Sequence, residues 1–350
     1  MQRSINLTLS LGGVAALALA NTPLLPAAAQ DADTAEDLGG VMSISLKDVV
    51  KFNWEFQAAL QGAGTPNQAG IGGLLPLSVG DNSVFFVDVL ANVNFSDREG
   101  KSSIINTEVA GLTISTSTRL GYRWLNGDRS WMYGLNAGYD SRPMNTGGTD
   151  TGINVSGTEK SAFFQQVAVN AEAVSNDWNF NAYALIPIGD TEQDLNFFYQ
   201  GGALNTYGLD VGYFITPVVN ASVGYYYQSG DLGTADGSGV LGRLAYEMSS
   251  GLTAGVNLSY DKAFEARISA DVEYRFGGPS KPIDTNKASE THIVKALSSR
   301  PAHRNVRVHD AYIPIRLKKM NIVNTCLDEQ GIDSGQIIDG KPIYEYVDYP

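Results

Sequence analysis

Cysteine, histidine and basic charge are all scarce in this sequence, and each scarcity excludes something. One cysteine, Cys326, among 350 residues leaves no disulfide framework. The three histidines, His292, His303 and His309, share no metal-ligand spacing with that cysteine, so neither a metal nor another cofactor is expected. Lys and Arg number 24 against 37 Asp and Glu, a net charge of −13 without a basic stripe, which speaks against a nucleic-acid partner. Charged residues make up only 17 % of the chain, where an ordinary soluble domain carries about 25 %. Beyond the N-terminus no apolar run approaches the roughly 18 residues that a membrane-spanning helix needs. Glycine and tyrosine, by contrast, are plentiful, at 38 and 17.

The first 29 residues carry one charge, Arg3, then the apolar run Leu7–Ala20 and a close of Pro26-Ala27-Ala28-Ala29. A basic start, a moderate apolar centre and an A-x-A end describe a secretory signal peptide over 1–29, with cleavage after Ala29. Residues 30–49 read as a periplasmic lead-in.

From 50 to 278 one pattern repeats, some ten residues alternating apolar and polar and then a turn. In Lys51–Gln61 the residues Phe52, Trp54, Phe56, Ala58 and Leu60 share a face opposite Asn53, Glu55 and Gln57. In Phe85–Phe95 the odd positions are apolar while Asp88, Asn92 and Asn94 oppose them. A period of two puts alternate side chains on opposite faces of a sheet. Strands this long exceed the usual five or six residues and suit a tilted membrane span of about nine to eleven. Aromatic residues gather near strand ends on the apolar face, at Trp54, Trp124, Trp131, Trp178, Tyr207, Tyr227 and Tyr260, as interfacial girdles do. The predicted fold class is all-β, a transmembrane antiparallel up-and-down β-barrel whose apolar face meets the lipid of an outer membrane.

Eleven such segments are plain, and loop parity supplies a twelfth. Short turns near 80–82, 126–129, 175–177, 216–217 and 249–251 alternate with long connections at 96–111, 141–161, 189–206 and 229–239. A strand over Gly70–Val79 must therefore precede the first short turn, although Pro76 weakens it. About twelve strands follow. The last alternates up to Tyr274-Arg275-Phe276, a terminal-aromatic signal suited to the barrel-assembly machinery, here followed by a mixed tail over 279–350.

The polar face would line the lumen. It carries Glu55, Asp88, Arg119, Arg123, Glu172, Asp210, Arg243, Glu247, Arg267, Asp271, Glu273 and Arg275. Mixed signs favour ion pairing across strands over a ring that selects solutes. All three histidines lie in the tail, so a histidine base in the barrel wall is not expected, and no enzymatic activity with it. The tail contains a candidate short helix at Lys287–Ser298, then Arg300, Arg304 and Arg307, and a candidate hairpin at Ile337–Tyr349. Net charge is −15 over 30–278 and +1 over 279–350, so the tail could seat in the lumen as a linker or plug, or remain periplasmic.

Several stretches resemble the inverse autotransporters, the intimin and invasin type. They are Leu75-Pro76-Leu77, Leu120-Gly121-Tyr122-Arg123, Trp131–Asp140, Asn170-Ala171-Glu172, Asn179–Pro187, Tyr207–Pro217 and Leu252–Gly278, the last including Tyr260-Asp261 and Tyr274-Arg275-Phe276-Gly277. The resemblance covers roughly 70–278. It implies a twelve-stranded barrel whose C-terminal chain re-enters the lumen and is displayed outside, with surface attachment as the usual role. Residues 30–49 are too few for the peptidoglycan-binding module of that family, and no string of immunoglobulin-like or lectin domains follows the barrel. The expected function is a membrane anchor and translocator for its own C-terminal segment. The alternative is a porin-like channel for small solutes. No external ligand is legible.

Overall fold

A computed structural model describes residues 45–150, 153–154, 160–196, 198–277, 292–312, 337–338 and 341–342. The expected signal peptide and most of the lead-in lie outside these, as do Cys326 and much of the tail. Among the described residues the chain forms twelve barrel strands: β1 (Asn53–Ala59), β2 (Asn67–Val79), β3 (Ser83–Phe95), β4 (Thr113–Leu125), β5 (Met132–Asp150), β6 (Ser161–Val174), β7 (Trp178–Ile188), β8 (Asn205–Thr216), β9 (Val219–Ser229), β10 (Gly237–Ser249), β11 (Leu252–Asp261) and β12 (Glu265–Phe276). Each pairs antiparallel with the next. β12 returns to β1 through Trp54↔Phe276 to Ala59↔Asp271, which closes the sheet and leaves no free edge.

The alternation in sequence becomes an alternation in exposure. In β3 every even residue from Val84 to Asn94 is buried, while Phe85, Val89, Ala91, Val93 and Phe95 are exposed. The apolar face is the outer one: Val223 is 69 % exposed and Val256 55 %, values that only lipid accommodates along a whole wall. The four tryptophans all lie at the short-turn end, where Trp124, Tyr133, Trp131, Phe180, Trp178 and Tyr213 run in successive ring contacts across β4, β5, β7 and β8. Tyr207, Tyr227 and Tyr260 sit at the opposite, long-loop end, all exposed.

Pro76 is tolerated for a local reason. The β1–β2 ladder stops at Asn53↔Leu74, so the missing N–H has no partner to fail, and the β2–β3 register shifts between Pro76 and Ser78. The expected connection at 141–161 is corrected. β5 runs on to Asp150 as a ribbon that pairs with the short strands Thr107–Ala110 and Ile153–Asn154.

Several glycines serve as seats for lumen-facing rings. Phe86 lies across Gly121, Tyr183 across Gly208 and Tyr226 across Gly239, each pair directly opposed in the ladder. A Cβ at Gly121 would stand 2.3 Å from the Phe86 ring. Gly121→Ala is accordingly expected to cost about 1–3 kcal/mol, the range for overpacking. Urea unfolding of the refolded barrel measures this, and an unchanged midpoint would refute the seating argument.

Candidate functional site: the lumen and the segment inside it

Residues 292–312 of the tail run through the lumen from one mouth to the other. This segment begins with helix α2 (His292–Leu297) at the short-turn end. A helix α1 (Leu46–Val49) lies beside it in chain space: Leu46 and Val50 join Leu74, Val84, Phe86, Leu125, Met132, Ile293, Ala296 and Leu297 in one apolar cluster. The His292 ring stacks on Phe214 at 3.6 Å, with Nδ1 2.6 Å from the Asn176 carbonyl and Nε2 3.1 Å from that of Pro217. Lys295 pairs with Glu247 at 3.0 Å.

Beyond α2 the chain turns at Ser298 and runs on to Arg307 with neither helix nor strand, His303 taking a positive φ of 54°. A segment with no helix or sheet of its own leaves its carbonyls unpaired, and the wall supplies donors. Arg123 donates to the carbonyls of Leu297 and Ser299, Asn53 to Ser298, Arg119 to His303, Gln166 to Asn305 and Arg142 to Val306. The charged side chains find acids of the wall. Arg300 grips Asp88 with two nitrogens, at 3.2 and 3.3 Å, and lies 3.6 Å from Glu55. Arg304 also pairs with Asp88, which is fully buried. His303 Nε2 is 2.7 Å from Asp210, its ring stacked on Tyr183 at 3.6 Å. Arg307 pairs with Asp261 at 3.3 Å.

The remaining lumen charges named from sequence pair within the wall or line the open part of the lumen. Arg119 forms a two-pronged pair with Asp140 at 2.7 and 2.8 Å, both fully buried. Arg123 meets Glu172 at 2.9 Å and covers the Phe86 ring. Arg243 and Asp271 form a second two-pronged pair, joined by Asn257. Arg267 donates to the Ser102 carbonyl at the long-loop mouth, and Arg275 to that of Lys295 at the other. Glu273 borders the cavity described below. None of the three histidines belongs to the barrel wall, yet the returning tail carries His303 into the lumen, against Asp210 and Tyr183. Asp140 and Asp261 were missed, though strand parity puts both on the polar face.

At the long-loop end the segment finishes as the strand Val308–Tyr312. It pairs with Tyr199–Ala203, which in turn pairs with Glu192–Asp194, so the β7–β8 loop and the segment share one sheet. Its other side is held as well: Val308 donates to Gly64 and Asp310 to Ile104. The Asp310 carboxylate accepts from the backbone of Asn106 at 2.9 Å and of Thr107 at 2.6 Å. Burial pushes that carboxyl up to about 6 against these bonds, and burial brings the His309 ring down to about 4. The segment leans on β3 to β6. Opposite it, bounded by β7 to β12 and β1, a cavity of about 550 Å³ remains, lined by polar and apolar side chains together. Of the candidate hairpin, the described residues show the pairing of Ile337–Ile338 with Lys341–Pro342, and the rest of it lies outside the described residues.

Among the described residues no cluster of His, Cys, Asp and Glu is placed to hold a metal. No protein-family model matches the sequence, and no curated protein does. Solved structures do resemble the fold. A membrane protein from work on in-meso crystallization is 12 % identical with a TM-score of 0.50, covering 74 % of this chain and 100 % of its own. The KdgM porin in complex with disordered oligogalacturonate is 10 % identical, TM-score 0.36, covering 64 % and 99 %. Outer membrane phospholipase A from Escherichia coli is 11 % identical, TM-score 0.34, covering 69 % and 98 %. At such identities the likeness is one of fold. The protein is a closed β-barrel of twelve strands of the outer-membrane type, and a fold by itself assigns no function, so its function has to be argued from the lumen.

Proposed function

We propose that the protein is an outer-membrane anchor that holds its own C-terminal segment through its lumen and carries the chain beyond residue 312 to the outer face, as the inverse-autotransporter resemblance implies. One observation carries this reading. Residues 292–312 run from the short-turn mouth to the long-loop mouth, and short turns face the periplasm in such barrels. The match of charge supports it too, since the cations of the segment meet acids of the wall at every level. The closing strand, with Tyr274 and Phe276 stacked on its outer face, is the element offered to the assembly machinery. An epitope placed after Tyr349 should be accessible to antibody and protease on intact cells. A tag protected until the envelope is opened would refute the reading.

A second reading, a channel for small polar solutes, is favoured by the cavity of about 550 Å³ beside the segment. Its polar lining includes the self-neutralised Arg243–Asp271 pair, which needs nothing from the segment.

A further inference from the structure

The seated segment does not fill the lumen evenly, and what closes the remaining space is local. The cavity of about 550 Å³ adjoins a second one of about 290 Å³ beside α2, the two sharing Asn179, Asn220 and Ser299. Together they extend along the lumen from the short-turn mouth. At the long-loop end the first cavity is lined by Ala63 and Arg307, which belong to one layer. There Ala63, Leu204, Ala235 and Phe264, from the loops β1–β2, β7–β8, β9–β10 and β11–β12, form a buried apolar cluster. Arg307 ties this layer to the segment. Its Nε donates to the Ala63 carbonyl at 3.2 Å, its guanidinium lies 4.5 Å from the centre of the Tyr226 ring and 5.5 Å from that of Phe264, and its carbonyl accepts from Leu204 N–H at 2.9 Å. Asp261 completes the seat: it takes Arg307 on one oxygen, together with the Tyr226 hydroxyl at 2.6 Å, and the backbone of Ala263 and Phe264 on the other.

We propose that Arg307 and this four-loop layer are an outer gate over an aqueous half-lumen, so that the barrel conducts small hydrated ions when the layer opens, even with the segment seated. The inference rests on the channel reading and adds its regulation. The wall below the gate carries its own Arg243–Asp271 pair and needs no partner from the gate, whereas the polar contacts that tie the gate to the segment converge on Arg307. Releasing that side chain therefore opens the path without unseating Arg300 and Arg304, which are held by Asp88 far from the layer. The chemistry selects hydrated monovalent ions as the probe, because the lining offers amides, hydroxyls and charges of both signs.

The test is potassium chloride conductance of the full chain in planar bilayers, for the parent protein, Arg307→Ala and a deletion of 292–312. The parent should be mostly closed, Arg307→Ala should show a stable small conductance, and the deletion a larger one. Loss of a cation–π contact and of hydrogen bonds from a charged group should raise the open fraction by at least about tenfold. A second readout guards against misfolding. With Cys326→Ser, a cysteine introduced by Ser259→Cys on the cavity wall should react with a small impermeant thiol reagent from the outer side about tenfold faster once Arg307→Ala is added. Conductance after the deletion with neither change after Arg307→Ala overturns the gate and leaves the channel reading standing. No conductance in any of the three overturns both.

Discussion

Asp88→Ala is expected to loosen the segment from the lumen while the barrel stays closed. Asp88 is fully buried and is the shared partner of Arg300 and Arg304, with Glu55 a weaker second partner of Arg300 at 3.6 Å. Removing one member of a buried pair costs about 3–5 kcal/mol, because the other charge remains out of water without a partner. Two guanidiniums would be left so here. The β3 ladder does not depend on that side chain, so the cost falls on the seating of 298–307. Backbone hydrogen exchange over those residues should accelerate by about a hundredfold or more, with β3 and β4 nearly unchanged. Asp88→Ala combined with Arg304→Met should cost less than the sum of the two single changes, as coupled partners do. Strict additivity would show that the contact contributes nothing to seating.

The barrel was legible because lipid and lumen impose opposite demands on alternate residues, and that demand is written at every second position. The alternation read over Phe85–Phe95 falls within β3 (Ser83–Phe95), and parity of loop lengths recovered β2 despite Pro76. The ribbon beyond Asp140 was not legible. Once a strand leaves the membrane neither face has to be apolar, and Met144-Asn145-Thr146-Gly147-Gly148 carries no alternation to read.

The site was half legible. Net charge separated an acidic wall from a basic tail, and Arg300, Arg304 and Arg307 were visible as a cluster. Which acid each would meet was not, since that depends on how far the chain rises through the lumen. One signal went unused. Leu74, Val84, Phe86 and Met132 are apolar on the polar face, all near the short-turn end, and together they form the seat of Leu297 and Ile293. Breaks in alternation confined to one end of a barrel mark the place where something apolar docks inside it.

The strongest test of the inside-out wall pairs substitutions at one depth. Val89 and Val256 stand near the middle of β3 and β11, 48 % and 55 % exposed on the outer face. An arginine there would face hydrocarbon, at a cost of about 2–4 kcal/mol at the midplane. Val89→Arg and Val256→Arg should therefore reduce the yield of folded, heat-modifiable barrel in membranes. The control has to be chosen by space as well as by face. Asn92 faces the lumen, yet it is 4 % exposed, bonded to Gln57 and packed over Gly70, so an arginine does not fit there. Ser269 faces the lumen across from Asn257, one step along the ladder from Val256↔Ala270, and borders the cavity near Asp271. Ser269→Arg places the same charge at nearly the same depth in a polar, hydrated setting, and it should assemble like the parent. Equal loss at Val256 and Ser269 would mean that both faces of the wall exclude charge, which no lipid-facing barrel with a polar lumen can do.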